Sequence, residues 1–112
     1  MSASALKERL RTDLKAAIRE RKPEQAGLIR TLIAAVDNAE AVPIAGLEER
    51  IRQRDTVGEV ARRDLDAARL DAILAAEADS RLTAAADYER HGRGDHAARL
   101  RAEAEQIGRY RT

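Results

Sequence analysis

A chain of 112 residues, 44% hydrophobic but only 2% aromatic and without Phe, Trp or Cys, can furnish one small domain whose large apolar side chains are almost all Leu, Ile and Val. Lack of Cys excludes a disulfide scaffold and every thiolate metal site, and it suits a reducing cytoplasm. The formal net charge of +1 points neither towards nor away from nucleic acid, but its distribution is uneven: residues 1–22 carry seven Lys/Arg against three Asp/Glu, and residues 66–92 carry three against six.

In chain order, Ser2 or Ser4 is placed to cap a first helix with the apolar row Leu6, Leu10, Leu14 and Ile18. That helix is expected to end near Lys22, because the residue before Pro23 is pushed out of the helical region. Pro23 suits the first turn of a second helix, which carries Ile29, Leu32, Ile33 and Val36 on one face, with Ala26, Ala35 and Ala39 beside it, and fades near Glu40–Val42. Residues 41–65 read as a variable connection punctuated by Pro43 and Gly46. One short helix is expected there around Leu47 and Ile51, with a break at Asp55–Gly58.

Asp64 or Asp66 can cap a third helix with apolar positions Leu70, Ile73, Leu74, Ala78, Leu82, Ala85 and Tyr88. His91 closes it with a side chain suited to a helix C-terminus, and Gly92 is placed to take the left-handed cap. Asp95 is expected to cap a fourth helix whose inner face is Ala97, Leu100, Ala104 and Ile107. The expected fold is all-α: one domain over residues 1–112, built as two antiparallel helical hairpins in a small, elongated four-helix bundle. No apolar run reaches the roughly 18 residues of a membrane helix, and the N-terminus is charged too often to be a signal peptide, so a soluble cytoplasmic protein is expected.

Candidates for chemistry are few. Ser occurs only at positions 2, 4 and 80, and Ser80 has no His near it in sequence to act as its base, so no catalytic residue is expected. His91, Asp95 and His96 cluster at one turn, yet each has a structural use there, and no metal or cofactor is expected. A basic row on the first helix, Lys7, Arg11, Lys15 and Arg19 with Lys22 beyond it, winds beside the apolar row. Such a row either tracks phosphates or forms an ordinary solvated face balanced by Glu8, Asp13 and Glu20. No aromatic residue interleaves it, so base stacking is not expected there. Arg30, inside the apolar run of the second helix, either snorkels to the surface or pairs with a buried acid such as Glu77. Tyr88 and Tyr110 are expected to pack with their hydroxyls in water.

The run from Leu6 to Glu40, a basic helix and then Leu28-Ile29-Arg30-Thr31-Leu32-Ile33-Ala34-Ala35-Val36 followed by Asp37-Asn38-Ala39-Glu40, resembles the start of the GatB/YqeY-like family. The C-terminal series Glu77, Arg81, Ala85, Asp87-Tyr88-Glu89-Arg90, Gly92-Arg93, Asp95, Ala98, Arg101-Ala102-Glu103 and Tyr110 follows that family's order as well. Together the two segments cover about two-thirds of the chain, and residues 41–65 do not match. The resemblance implies a helical accessory module related to the tRNA-dependent amidotransferase, a carbon–nitrogen ligase with glutamine as amido donor. It implies tRNA or an amidotransferase subunit as partner, and no catalytic residues of its own. Family members continue after the hairpin into a helical tail domain. Here the sequence reads Arg109-Tyr110-Arg111-Thr112, so the N-terminal helical domain without that tail is expected.

If the chain binds RNA, the expected contacts are Lys7, Arg11, Lys15, Arg19 and Lys22 with Arg93, Arg99 and Arg101 of the last helix, and DNA is not expected as a partner. The competing expectation is a protein-interaction module, with the Ala-rich faces and the seam of the last helix binding a partner helix or a second copy of the chain. An amidotransferase-type enzyme is the least favoured, because no Ser-Lys-Ser set, Cys nucleophile or phosphate loop is present.

Overall fold

A computed structural model describes residues 1–41 and 65–111. The short helix and the break expected within 46–58 lie outside the described residues. Among the described residues four helices follow in order: α1 (Ala3–Arg19), α2 (Pro23–Glu40), α3 (Ala67–Arg90) and α4 (Gly94–Gly108). α1 packs on α2 and α3 packs on α4, with α2 resting on α3 to join the two hairpins. The result is a small helical bundle elongated to 56 × 33 × 23 Å.

Local chemistry sets the helix ends. Ser2 Oγ accepts the Ala5 N–H at 3.1 Å, and Asp66 Oδ1 accepts the Arg69 N–H at 2.8 Å, so both hairpins begin on a side-chain cap. The two hairpin turns share one geometry. After α1 the Lys22 N–H bonds the Ala17 carbonyl and the Arg21 N–H bonds the Ile18 carbonyl; after α3 the Arg93 N–H bonds the Tyr88 carbonyl and the Gly92 N–H bonds the Glu89 carbonyl. Both are Schellman closures with a left-handed residue between, Arg21 at φ 55° and Gly92 at φ 76°. Gly92 holds the conformation expected of it. Arg21 in the same role was not foreseen, and it ends α1 at Arg19, three residues before Lys22. α4 begins at Gly94 with Arg93 in the cap position and no side-chain cap bond, so Asp95 lies in the first turn and does not cap it.

The core gathers Leu6 and Leu10 of α1; Leu28, Ile29, Leu32 and Val36 of α2; Leu65; Leu70, Leu74 and Ala78 of α3; and Ala104, Ile107 and Tyr110. Each fully buried Leu or Ile contributes about 2 kcal/mol of transfer free energy. Two expected core residues are on the surface: Ile18 is 53% exposed and Leu82 is 46% exposed. The cause is the same in both helices. A row stepped strictly by four residues rotates 40° per step, so it walks off the buried face after three steps. In α1 Ala17, three residues after Leu14, takes the inner position instead; in α3 Ala85, three residues after Leu82, returns to the buried face as expected. Tyr88 is also exposed, because α3 has by then run past the main core. There the hairpin is closed by Ala85 and Ala97, both fully buried but outside that cluster.

Candidate nucleic-acid interface

Eight cations were expected to form the interface, and the fold distributes them among three environments. Lys7 is engaged between helices. Its ammonium lies 2.6 Å from Glu40 Oε1 and 3.1 Å from Asp37 Oδ1, with only 14% of its side chain exposed. Glu40 Oε1 is buried, and the Lys7 ammonium is the cation beside it. The Glu40 carboxylate, and then Asp37, hold the Lys7 ammonium above its usual pKa range. Lys7 therefore ties the open end of α1 to α2.

Arg11, Lys15 and Arg19 are exposed, and no ion pair among the described residues engages them. Successive members stand four residues apart, about 6 Å along the helix axis. The opposite side of α1 is covered. Arg9, Asp13, Ala16 and Ala17 line a cleft against Gln106, Arg109 and Tyr110 at the end of α4. Arg11 and Lys15 each lie about 160° round the helix from Asp13 and Arg19 about 120°, so the row winds along the outer side of α1 with Arg11 and Lys15 turned furthest from α4.

The last helix presents its arginines differently. Arg93 and Arg99 each approach the Asp95 carboxylate at 3.8 Å. The His96 backbone N–H, aided by those two arginines, holds the Asp95 carboxyl below its usual pKa range. Arg101 of α4 pairs with Glu89 of α3. Arg81 binds Glu77 at 2.9 Å and reaches Glu103 at 3.7 Å, so Glu77 is the partner of Arg81. Arg30, for which Glu77 was a candidate acid, is at the surface. Lys22 and Arg99 line the same groove of about 840 Å³ between the start of α2 and α4, with Leu28, His96 and Leu100. Lys22 also lies 3.6 Å from Glu20. The α1 row and the α4 arginines thus do not form one continuous face.

The cluster at the second turn is used structurally. His91 Nδ1 lies 2.7 Å from the Asp87 carbonyl, and the His96 ring packs on Tyr88 with centroids 4.1 Å apart. Among the described residues no group of three or more His, Asp or Glu side chains is placed to hold a metal ion.

A second contact joining the two hairpins had no signal in the sequence, which places the Tyr110 hydroxyl in water. The Tyr110 hydroxyl donates to Asp13 Oδ2 at 2.5 Å, the Arg9 guanidinium stands 4.7 Å over the Tyr110 ring, and Arg9 donates to the Arg109 carbonyl at 3.2 Å. Burial, and then the Asp13 carboxylate, push the Tyr110 phenol well above its usual pKa. Arg111 makes a two-pronged pair with Asp71 at 2.9 and 3.0 Å, which closes the base of the α3–α4 hairpin and lowers the Asp71 pKa. Among the described residues no helix is long and apolar enough to cross a membrane. No family model matches the chain, and no curated protein or solved structure matches it significantly.

Proposed function

We propose that this chain is a non-catalytic, cytoplasmic binding module that docks RNA along the outer side of α1. The observation that carries the reading is the row Arg11, Lys15 and Arg19: exposed, aligned, turned away from α4 and engaged in no ion pair among the described residues. Cations held apart from protein acids remain available to phosphates, whereas Lys7 and the α4 arginines already carry acidic partners. The resemblance to the GatB/YqeY-like family makes tRNA the first RNA to try, and an amidotransferase subunit a possible companion.

The test is fluorescence anisotropy with bulk tRNA at low and physiological salt, with duplex DNA as competitor. Micromolar or tighter binding that resists DNA, lost on charge reversal at Lys15 and Arg19, supports the reading. Three phosphate contacts imply a fall of about 40-fold in affinity between 50 and 200 mM salt. Affinity unchanged by K15E/R19E removes α1 from the interface.

The second reading is a protein-interaction module. It is favoured by the α2–α4 groove, where Leu28 and Leu100 lie among polar walls, and by the exposed Leu82. Light scattering separates the two: a concentration-dependent dimer supports self-association, and a strict monomer counts against it.

A further inference from the structure

We infer that the RNA recognised by this face is double-helical, bound through its phosphates and shape and not through splayed bases, and that Arg30 belongs to the contact. The inference rests on the reading of α1 as an RNA-docking surface. Single-stranded RNA is held chiefly by stacking unpaired bases on aromatic side chains, whereas an A-form duplex offers phosphates and 2′-hydroxyls across a wide, shallow minor groove. The chain has two aromatic residues in all, Tyr88 and Tyr110. Neither stands among the cations of α1 and α2. Tyr110 is buried between α4 and α1, with its hydroxyl on Asp13 and Arg9 over its ring. Tyr88 has the His96 ring at 4.1 Å and the Arg93 guanidinium at 6.0 Å. What the α1–α2 surface offers is cations.

Arg30 extends those cations onto the second helix. The Lys7–Asp37 pair marks which strips of α1 and α2 meet at the surface. Arg30 stands seven residues, two turns, before Asp37 on the same strip of α2. Running the other way, Arg11 and Leu14 follow Lys7 by four and seven residues. In an antiparallel hairpin these displacements bring Arg30 beside the Arg11–Lys15 stretch. Arg30 is exposed, and no ion pair among the described residues engages it. Arg11, Lys15 and Arg19 on one helix, with Arg30 on the next, make a cationic face two helices wide, free of large aromatics. Such a face can lie across paired strands and carries no aromatic ring on which to stack an unpaired base.

The experiment compares three probes at equal length and salt: two RNA duplexes of about 20 base pairs and unrelated sequence, and one unstructured single strand. Both duplexes should bind alike, within about twofold, and at least tenfold more tightly than the single strand. Arg30→Gln should weaken duplex binding roughly three- to tenfold and reduce the salt slope by about one, with the circular dichroism and melting temperature unchanged. A single strand bound as tightly as the duplexes overturns this inference and leaves the RNA reading standing. Absence of binding to all three probes overturns the RNA reading itself. Duplex binding untouched by Arg30→Gln removes Arg30 from the face.

Discussion

The two hairpins of this molecule turn through the same backbone geometry with different chemistry. Each helix pair is joined by three residues, each first helix ends in a Schellman closure, and each closure places one residue in the left-handed region. In the α3–α4 hairpin that residue is Gly92, which has no Cβ to strain. In the α1–α2 hairpin it is Arg21, which carries the steric penalty of a left-handed side chain, about 1 kcal/mol. The balance reverses away from the turns. α1 and α2 meet over Leu and Ile in the main core, whereas the far end of α3–α4 is held by Ala85, Ala97 and exposed ion pairs. Where packing is strong a strained turn is tolerated. Where the seam is Ala-lined the turn itself is relaxed.

Six substitutions, in four tests, probe that contrast in descending order of effect. Leu74→Ala, in the core, should destabilise by about 2–5 kcal/mol, while Leu82→Ala, two turns further along α3 and exposed, should stay within about 0.5 kcal/mol. Chemical denaturation of both variants reads the difference, and equal losses would mean that the core extends to the hairpin tip. Tyr110→Phe leaves Asp13 without its donor and should lower stability by about 1–3 kcal/mol.

That variant has a pH signature. Tyr110 and Lys7 both have folded-state pKa values raised above their unfolded values. Their contributions are therefore complete below about pH 10 and decline as pH rises further. Tyr110→Phe should flatten this alkaline decline. On the acid side Asp71 and Asp95, whose pKa values are lowered, contribute above about pH 3.9 and lose that contribution as pH falls below it.

The turns give the third comparison. Gly92→Ala should destabilise by about 1 kcal/mol through backbone strain alone, since a Cβ there meets nothing within 4 Å. Arg21→Gly should stabilise by up to about 1 kcal/mol, and melting temperatures moving in opposite directions would establish the pair as the same motif in two states of strain. The smallest effect belongs to Glu89→Gln, which removes the exposed pair with Arg101. It should cost below about 1 kcal/mol, and less in high salt.

Much of the architecture was legible in the residues. Ser2, Pro23, Asp66 and Gly92 mark helix boundaries by chemistry that acts within a turn of where it is read, and the 3.6-residue period located each buried face. A row stepped by four misled at Ile18 and Leu82; beyond them the buried face is kept by Ala17, which the row missed, and by Ala85, which the pattern included. The candidate site was legible as a list of cations, but their engagement was not. Lys7 is 30 residues from Asp37, Tyr110 is 97 from Asp13, and Arg9 is 100 from Arg109.

By itself, then, the sequence determined the helical class, the two hairpins and the caps at Ser2, Asp66 and Gly92, because helix propensity, capping and periodicity are local properties of the chain. Only the tertiary structure decided that Arg21 takes the left-handed turn, that Tyr110 fastens α4 to α1, and that Arg11, Lys15 and Arg19 remain exposed while Lys7 does not. Those outcomes depend on which distant acid or ring arrives beside each side chain, and packing alone selects that neighbour.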